Sequence, residues 1–194
     1  MAKPHENTGV VNLIGVGTTI VGEITSSGDI RVDGTLSGSI NTKGKVVVGS
    51  TGMVEGNVNA SNADVSGELK GSISVSELLA LKVKRNFNQS LEIIIPSIEG
   101  KSISSRIFLL IEEGAKLDLL QIFTGNNNSA QNHLIEIKLE SKVELTHGLI
   151  SLGEEKESSS ICTLAVEQSE KSKYSLHSIH HGWDYARFEP RIIQ

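Results

Sequence analysis

One five-residue unit recurs between Ile20 and Val75: an apolar residue, any residue, glycine, any residue, an apolar residue. It stands as Ile20-x-Gly22-x-Ile24, Leu36-x-Gly38-x-Ile40, Val54-x-Gly56-x-Val58 and Leu69-x-Gly71-x-Ile73. Its glycines step by 16, 18 and 15 residues, and extra copies precede two units at Val32-x-Gly34-x-Leu36 and Val65-x-Gly67-x-Leu69. Self-similarity at a short fixed period marks a solenoid. This period is too short for helix-pair repeats and fits one turn of a β-helix. The expected fold class is all-β: a right-handed parallel β-helix, continuous through the chain.

Around the glycines the sequence alternates with period 2, the signal of half-buried strands. Ile24, Ile30, Val32, Leu36, Ile40, Val46, Val48, Val54, Val58, Val65, Leu69, Ile73 and Val75 are expected to point inward. Glu23, Asp29, Arg31, Asp33, Lys45, Glu55, Glu68 and Lys70 are expected outside, with Asp29, Arg31 and Asp33 as a surface charge ladder. The glycines provide corners where a β-carbon would clash. Each turn pairs with the turns before and after it, so only the two ends keep open edges, and open edges pair readily with another chain. Self-association through the N-terminal end is assigned to Val11, Leu13, Ile14 and Ile20. Met1–Asn7 is expected to be disordered. Gly9–Val16 is read either as a strand capping the solenoid or as a weak membrane-contact peptide.

The run from Gly17-Thr18-Thr19-Ile20-x-Gly22, through Gly28-Asp29-Ile30-Arg31-Val32-Asp33-Gly34 and Gly44-Lys45-Val46-Val47-Val48-Gly49, to Val75-x-Glu77-Leu78-Leu79 resembles the bactofilin family over about residues 12–82. The resemblance implies a bacterial cytoskeletal protein with a right-handed parallel β-helix that polymerises without nucleotide. It also implies, in many members, a short N-terminal segment touching membrane.

The glycine unit is absent near residues 86–90, and from Val83 the strands lengthen and gain charge. Candidate strands are Leu91–Ile95, Arg106–Ile111, Lys116–Phe123, His133–Leu139, Lys142–Ile150, Ser160–Val166, Lys173–Ile179 and Tyr185–Ile193. A looser repeat is read from Lys116, Lys142 and Lys173, stepping by 26 and 31 residues. The units Leu110–Leu117, Ile122–Gly125, Val166–Gln168 and Tyr174–Ile179 resemble the core of the SufB/SufD family over about residues 84–194. That resemblance implies a second β-helix, from proteins that scaffold iron–sulfur cluster assembly. The family's C-terminal helical region and later cysteine and histidine positions are not expected here, and no family site maps onto a residue. The expected organisation is a tail over 1–16, bactofilin-like turns over 17–82 and SufD-like turns over 83–194. An engineered or recombined chimera is the preferred origin, a natural fusion the other. Solenoid turns contact only their neighbours, so foreign turns can stack if cross-sections match. A strained junction is expected around Lys82–Ser90.

Chemistry is sparse. His177 and His181 share one strand face and are weak metal candidates, His180 taking the opposite face; a polar outer face is the preferred reading. Cys162, the one cysteine, lies in an apolar strand and reads as a buried inert thiol. It excludes an intrachain disulfide and a multi-thiolate metal site, and it suits a reducing cytosol. No nucleophile elbow or phosphate loop is present, and no catalytic residue, metal or cofactor is assigned. Trp183, Tyr185 and Phe188 either plug the last turn or form a C-terminal contact. A net charge of −5 offers no footprint for nucleic acid. No secretory signal or membrane-spanning run is expected. The preferred function is a non-enzymatic, cytoplasmic structural protein whose partner is itself, as a dimer or filament, with membrane-surface contact as a further possibility. The alternative is an iron–sulfur assembly scaffold acting through SufB- or SufC-like subunits.

Overall fold

The computed structural model describes residues 11–97, 100–154 and 157–194. The readings placed on Met1–Asn7, and on Gly9 and Val10 of Gly9–Val16, lie outside the described residues. The described residues form strands and turns with no helix. They divide into two compact units between Ala80 and Leu81.

In the first unit each turn carries three short parallel strands. β1 (Asn12–Ile14), β2 (Thr19–Val21) and β3 (Ile24–Ser26) make the first turn, and β4 (Ile30–Val32), β5 (Thr35–Ser37) and β6 (Ile40–Thr42) the second. β7 (Lys45–Val48) and β8 (Met53–Val65) continue, followed by β9 (Glu68–Val83). Three ladders result. β1 pairs with β4 and β4 with β7, which meets the end of β8; β2 pairs with β5 and then the start of β8; β3 pairs with β6 and then the middle of β8. Register stacks like on like: Ile30 on Val46, Val32 on Val48, Leu36 on Val54, Ile40 on Val58. All eight are buried, as the alternation requires. Burying each such side chain contributes about 1.5–3 kcal/mol. These stacks are the core of the unit.

The repeated glycine is the corner between the second and third faces. Gly22, Gly38, Gly56 and Gly71 have φ of 130°, 145°, 144° and 144°. A β-carbon on Gly38 would stand 2.0 Å from the carbonyl oxygen of Gly22, and one on Gly56 would stand 2.1 Å from that of Gly38. Both backbone conformation and the closeness of the next turn therefore demand glycine. The outer charges sort differently from the expected ladder. Arg31 makes a two-pronged pair with Asp33 (2.8 and 2.9 Å), while the Asp29 carboxylate accepts the Lys45 backbone N–H at 2.8 Å.

The second unit has two strands per turn. One sheet runs β10 (Asn88–Ile95), β12 (Lys116–Thr124), β14 (Glu144–Leu152) and β16 (Lys173–His181). The opposite ladder runs β11 (Ser102–Ile111), β13 (Ala130–Leu139), β15 (Ser159–Gln168) and β17 (Tyr185–Ile193). Each of the eight strands read from sequence overlaps one of these. The phase of their repeat differs from the sequence reading. Lys116 pairs with Glu144, and Glu144 with Lys173, at steps of 28 and 29 residues. Lys142 sits instead in a turn at φ 63°, the equivalent of Asn86 (64°), Gly114 (74°) and Lys171 (62°). The physical reason is charge. A Lys–Lys–Lys column on one face would repel, whereas Glu144 bridges Lys116 at 3.0 Å and Lys173 at 3.3 Å. Hydrogen bonds from Lys116 and then Lys173 hold Glu144 below the usual carboxylate range. The 84–87 turn, where strain is expected, has the same left-handed geometry as the other three turns and closes with Phe87 N–H donating to Lys84 O at 3.2 Å.

Candidate functional site

β1, β2 and β3 are each laddered on one side only among the described residues, to β4, β5 and β6. The other edge of the first turn therefore presents backbone groups without a strand partner. The turn is closed by the Asn12 side-chain amide, which donates to Ser26 Oγ at 3.0 Å, and by Asn12 N–H donating to Asp29 O at 2.9 Å. Inside this rim lies a recess of about 260 Å³, lined by Leu13, Ile14, Ile20, Ile24 and Ile30 with Asn12, Thr25 and Ser26.

Three of the four residues assigned to self-association, Leu13, Ile14 and Ile20, meet at this recess, and Val11 is not among its lining residues. Ile14 faces inward and is buried, Ile20 is half-buried, and Leu13 is 63% exposed. Ile24 and Ile30 also line the recess: Ile30, in the second turn, is buried as the alternation requires, and Ile24, in the first, is half-buried. Among the described residues the first turn has no turn above it, so its inward residues form an end face. The position of these residues in the first repeat is the sequence signal for that. Val11, Val16 and Val21 add exposed apolar surface on the same turn. The arrangement can accept another apolar end by strand pairing plus burial.

In the second unit, His177 and His181 lie on the outer face of β16 and are exposed. Four residues of strand separate them by about 13 Å, too far to share one ion. No group of three or more metal-binding side chains is found among the described residues. Trp183 is half-buried and lies flat over two glycines: β-carbons built on Gly125 and Gly153 would be 2.2 and 2.7 Å from its ring. Phe188 is half-buried against the His180 ring (centroids 4.6 Å apart), and Tyr185 is 53% exposed.

Polar groups inside the second unit were missed from sequence. His133 is fully buried, stacked on Phe123 at 4.1 Å, with Ser105 Oγ at 2.7 Å from Nδ1 and Gln131 Oε1 at 2.9 Å from Nε2. His147 is equally buried between Tyr174 OH (2.9 Å) and Gln121 Oε1 (2.8 Å). Burial pushes both imidazoles down to about 4, and pushes the Cys162 thiol up to about 12. The signal was available: His133 and Gln131 share the inward phase of Ile135, Ile137 and Leu139.

Comparison with known proteins places these two units. The polymer-forming cytoskeletal family, bactofilin, matches residues 12–107. The SufBD core domain of the SUF system for FeS cluster assembly matches residues 93–194. The first match runs past Lys82, so both families claim residues 93–107. A curated relative, bactofilin BacO of Myxococcus xanthus (strain DK1622), is 33% identical over 70 residues, which is 36% of this chain and 56% of that protein. The chain thus spans about half the length of that relative. No solved structure matches. Among the described residues no helix is long and apolar enough to cross a membrane.

Proposed function

The chain belongs to the SufBD core family, whose model matches residues 93–194, and is similar to the polymer-forming bactofilins over residues 12–107; on that premise we propose that it is a non-enzymatic structural protein that self-associates through its first β-helix turn. The observation that carries this reading is the apolar recess of Leu13, Ile14, Ile20, Ile24 and Ile30 inside an unpaired strand edge. Two such ends brought together extend the ladders and remove apolar surface from water. A symmetric end-to-end contact closes as a dimer, and a second open end would propagate a filament. A bacterial cytoplasmic location follows from the bactofilin relation. Exposed Val11, Val16 and Val21 support surface contact with membrane by many copies in a polymer.

The test is sedimentation of the whole chain over a micromolar concentration series, with electron microscopy of the heaviest species. Wild type is expected as dimers or filaments, and Leu13→Glu/Ile20→Glu as a monomer of unchanged Tm. A wild-type monomer throughout, or a variant that associates like wild type, overturns the reading.

The family match over 93–194 favours a second reading, a scaffold for iron–sulfur cluster assembly. The residues suit it poorly: the chain has one thiol, whereas iron–sulfur clusters are held by several. Anaerobic reconstitution with iron and sulfide tests it. A stoichiometric chromophore lost in Cys162→Ala would support the scaffold.

A further inference from the structure

Three consecutive rungs at one edge of the second unit's core follow a pattern. In the first rung Phe123 of β12 stacks on His133 of β13 across the core, with ring centroids 4.1 Å apart. In the third, His180 of β16 meets Phe188 of β17, centroids 4.6 Å apart. Register puts Ser151 between Phe123 and His180 on one sheet, and Cys162 between His133 and Phe188 on the other. The middle rung therefore carries two small side chains where each neighbouring rung carries a pair of rings.

Both of these small side chains are polar. Ser151 and Cys162 are both fully buried. Ser151 Oγ has no hydrogen-bond partner, and neither does Nε2 of His180. Buried polar atoms are seldom left unpaired, and each instance calls for an explanation. His133 is different, because both of its ring nitrogens already have partners. The open valences are thus one sulfur, one imidazole nitrogen and one hydroxyl, on facing walls of the same rung and the next.

We propose that Cys162 Sγ and His180 Nε2, with Ser151 Oγ as a weak third donor, form an interior site for one soft monovalent d10 cation, copper(I) or silver(I). Thiolate and imidazole are the donors such ions select, and two donors satisfy them. The hard dications, which need several oxygen ligands, find a single hydroxyl here. On binding, the Cys162 S–H bond breaks and a sulfur–metal bond forms. The proton leaves to solvent, and no electron changes hands. His180 donates its Nε2 lone pair and keeps its proton on Nδ1. His180 is half-buried, so the ion enters from its side.

The experiment is anaerobic titration of the whole protein with copper(I), supplied as its acetonitrile complex, against a chromophoric copper(I) chelator. Expected are one ion per chain and an affinity that tightens about tenfold per pH unit below the thiol pKa, because one proton is released. Cys162→Ser should lose about 100-fold or more in affinity, and His180→Gln about tenfold. Ser151→Leu, which fills the rung, should abolish binding without lowering Tm. Wild-type Tm should rise by several degrees at saturating copper(I). Binding that survives Cys162→Ser, binding that appears only after unfolding in denaturant, or a Ser151→Leu variant whose Tm falls because the rung is already full would each overturn the proposal.

Discussion

Lowering the pH from 7 to 4.5 should destabilise the second unit through two buried histidines. His133 and His147 are held near pKa 4 by burial, whereas an unfolded histidine titrates near 6.5. Between those values the unfolded chain binds more protons than the folded one. Stability is therefore complete above about pH 6.5 and drains as pH falls toward 4. At pH 4.5 each histidine should cost about 2.5 kcal/mol relative to pH 7, or about 5 kcal/mol together. That is comparable with the whole stability of many domains. The carboxylates act elsewhere on the pH axis. Glu112, Glu113 and Glu144 are held below the usual carboxylate range by hydrogen bonds from Lys82, Lys142 and Lys116 respectively. Their contribution is full above the ordinary carboxylate range and is lost as pH falls from about 4.5 downward, so the histidines account for most of the loss between about 6.5 and 4.5. Trp183, the one tryptophan, packs over Gly125 and Gly153 within this unit and reports its unfolding by fluorescence. Urea melts at pH 7, 6, 5 and 4.5 give the slope. His133→Gln/His147→Gln keeps hydrogen-bonding side chains but cannot titrate, so it should flatten the profile by about 5 kcal/mol whatever its stability at pH 7. A wild-type melt unchanged between pH 7 and 4.5, or a variant with the wild-type slope, would refute the reasoning.

Gly38→Ala should cost more than about 3 kcal/mol, because strained φ adds to a β-carbon 2.0 Å from the Gly22 carbonyl oxygen. Gly114→Ala, where φ is positive but no atom lies within 4 Å, should cost only about 1 kcal/mol; thermal melts of the two variants check the difference. Lys171→Gly relieves a left-handed residue at φ 62° and should stabilise by about 0.5–1 kcal/mol in urea melts. Ile24→Asp, inside the end recess, should shift sedimenting oligomers to monomer.

The two units differ in how far they could be read. In the first, one glycine per turn carries two constraints at once, positive φ and contact with the turn below. Its spacing therefore located the corner, and period 2 then sorted Val32, Leu36, Ile40 and Val54 inward. In the second unit the corner residue varies, Asn86, Gly114, Lys142 and Lys171, since loose left-handed turns tolerate several residues. No single residue type marked the period, and the lysines suggested a phase that charge repulsion forbids. The candidate end site was legible in part: Leu13, Ile14 and Ile20 were named, while Ile24, half-buried at the recess, read as core. Whether an inward residue is core or end face depends on the presence of a turn above it.

The local pattern thus determined what local rules govern: strand alternation, the glycine corners, the eight later strands and the kinship of each half. Only the tertiary structure decided which residues meet across a core. Phe123 reaches His133, and His147 reaches Tyr174 and Gln121, because successive turns and opposite sheets bring distant positions into one rung. Burial there strips water from groups that look ordinary in sequence. It is that loss of solvent that lowers the imidazole pKa values of His133 and His147 and raises that of the Cys162 thiol.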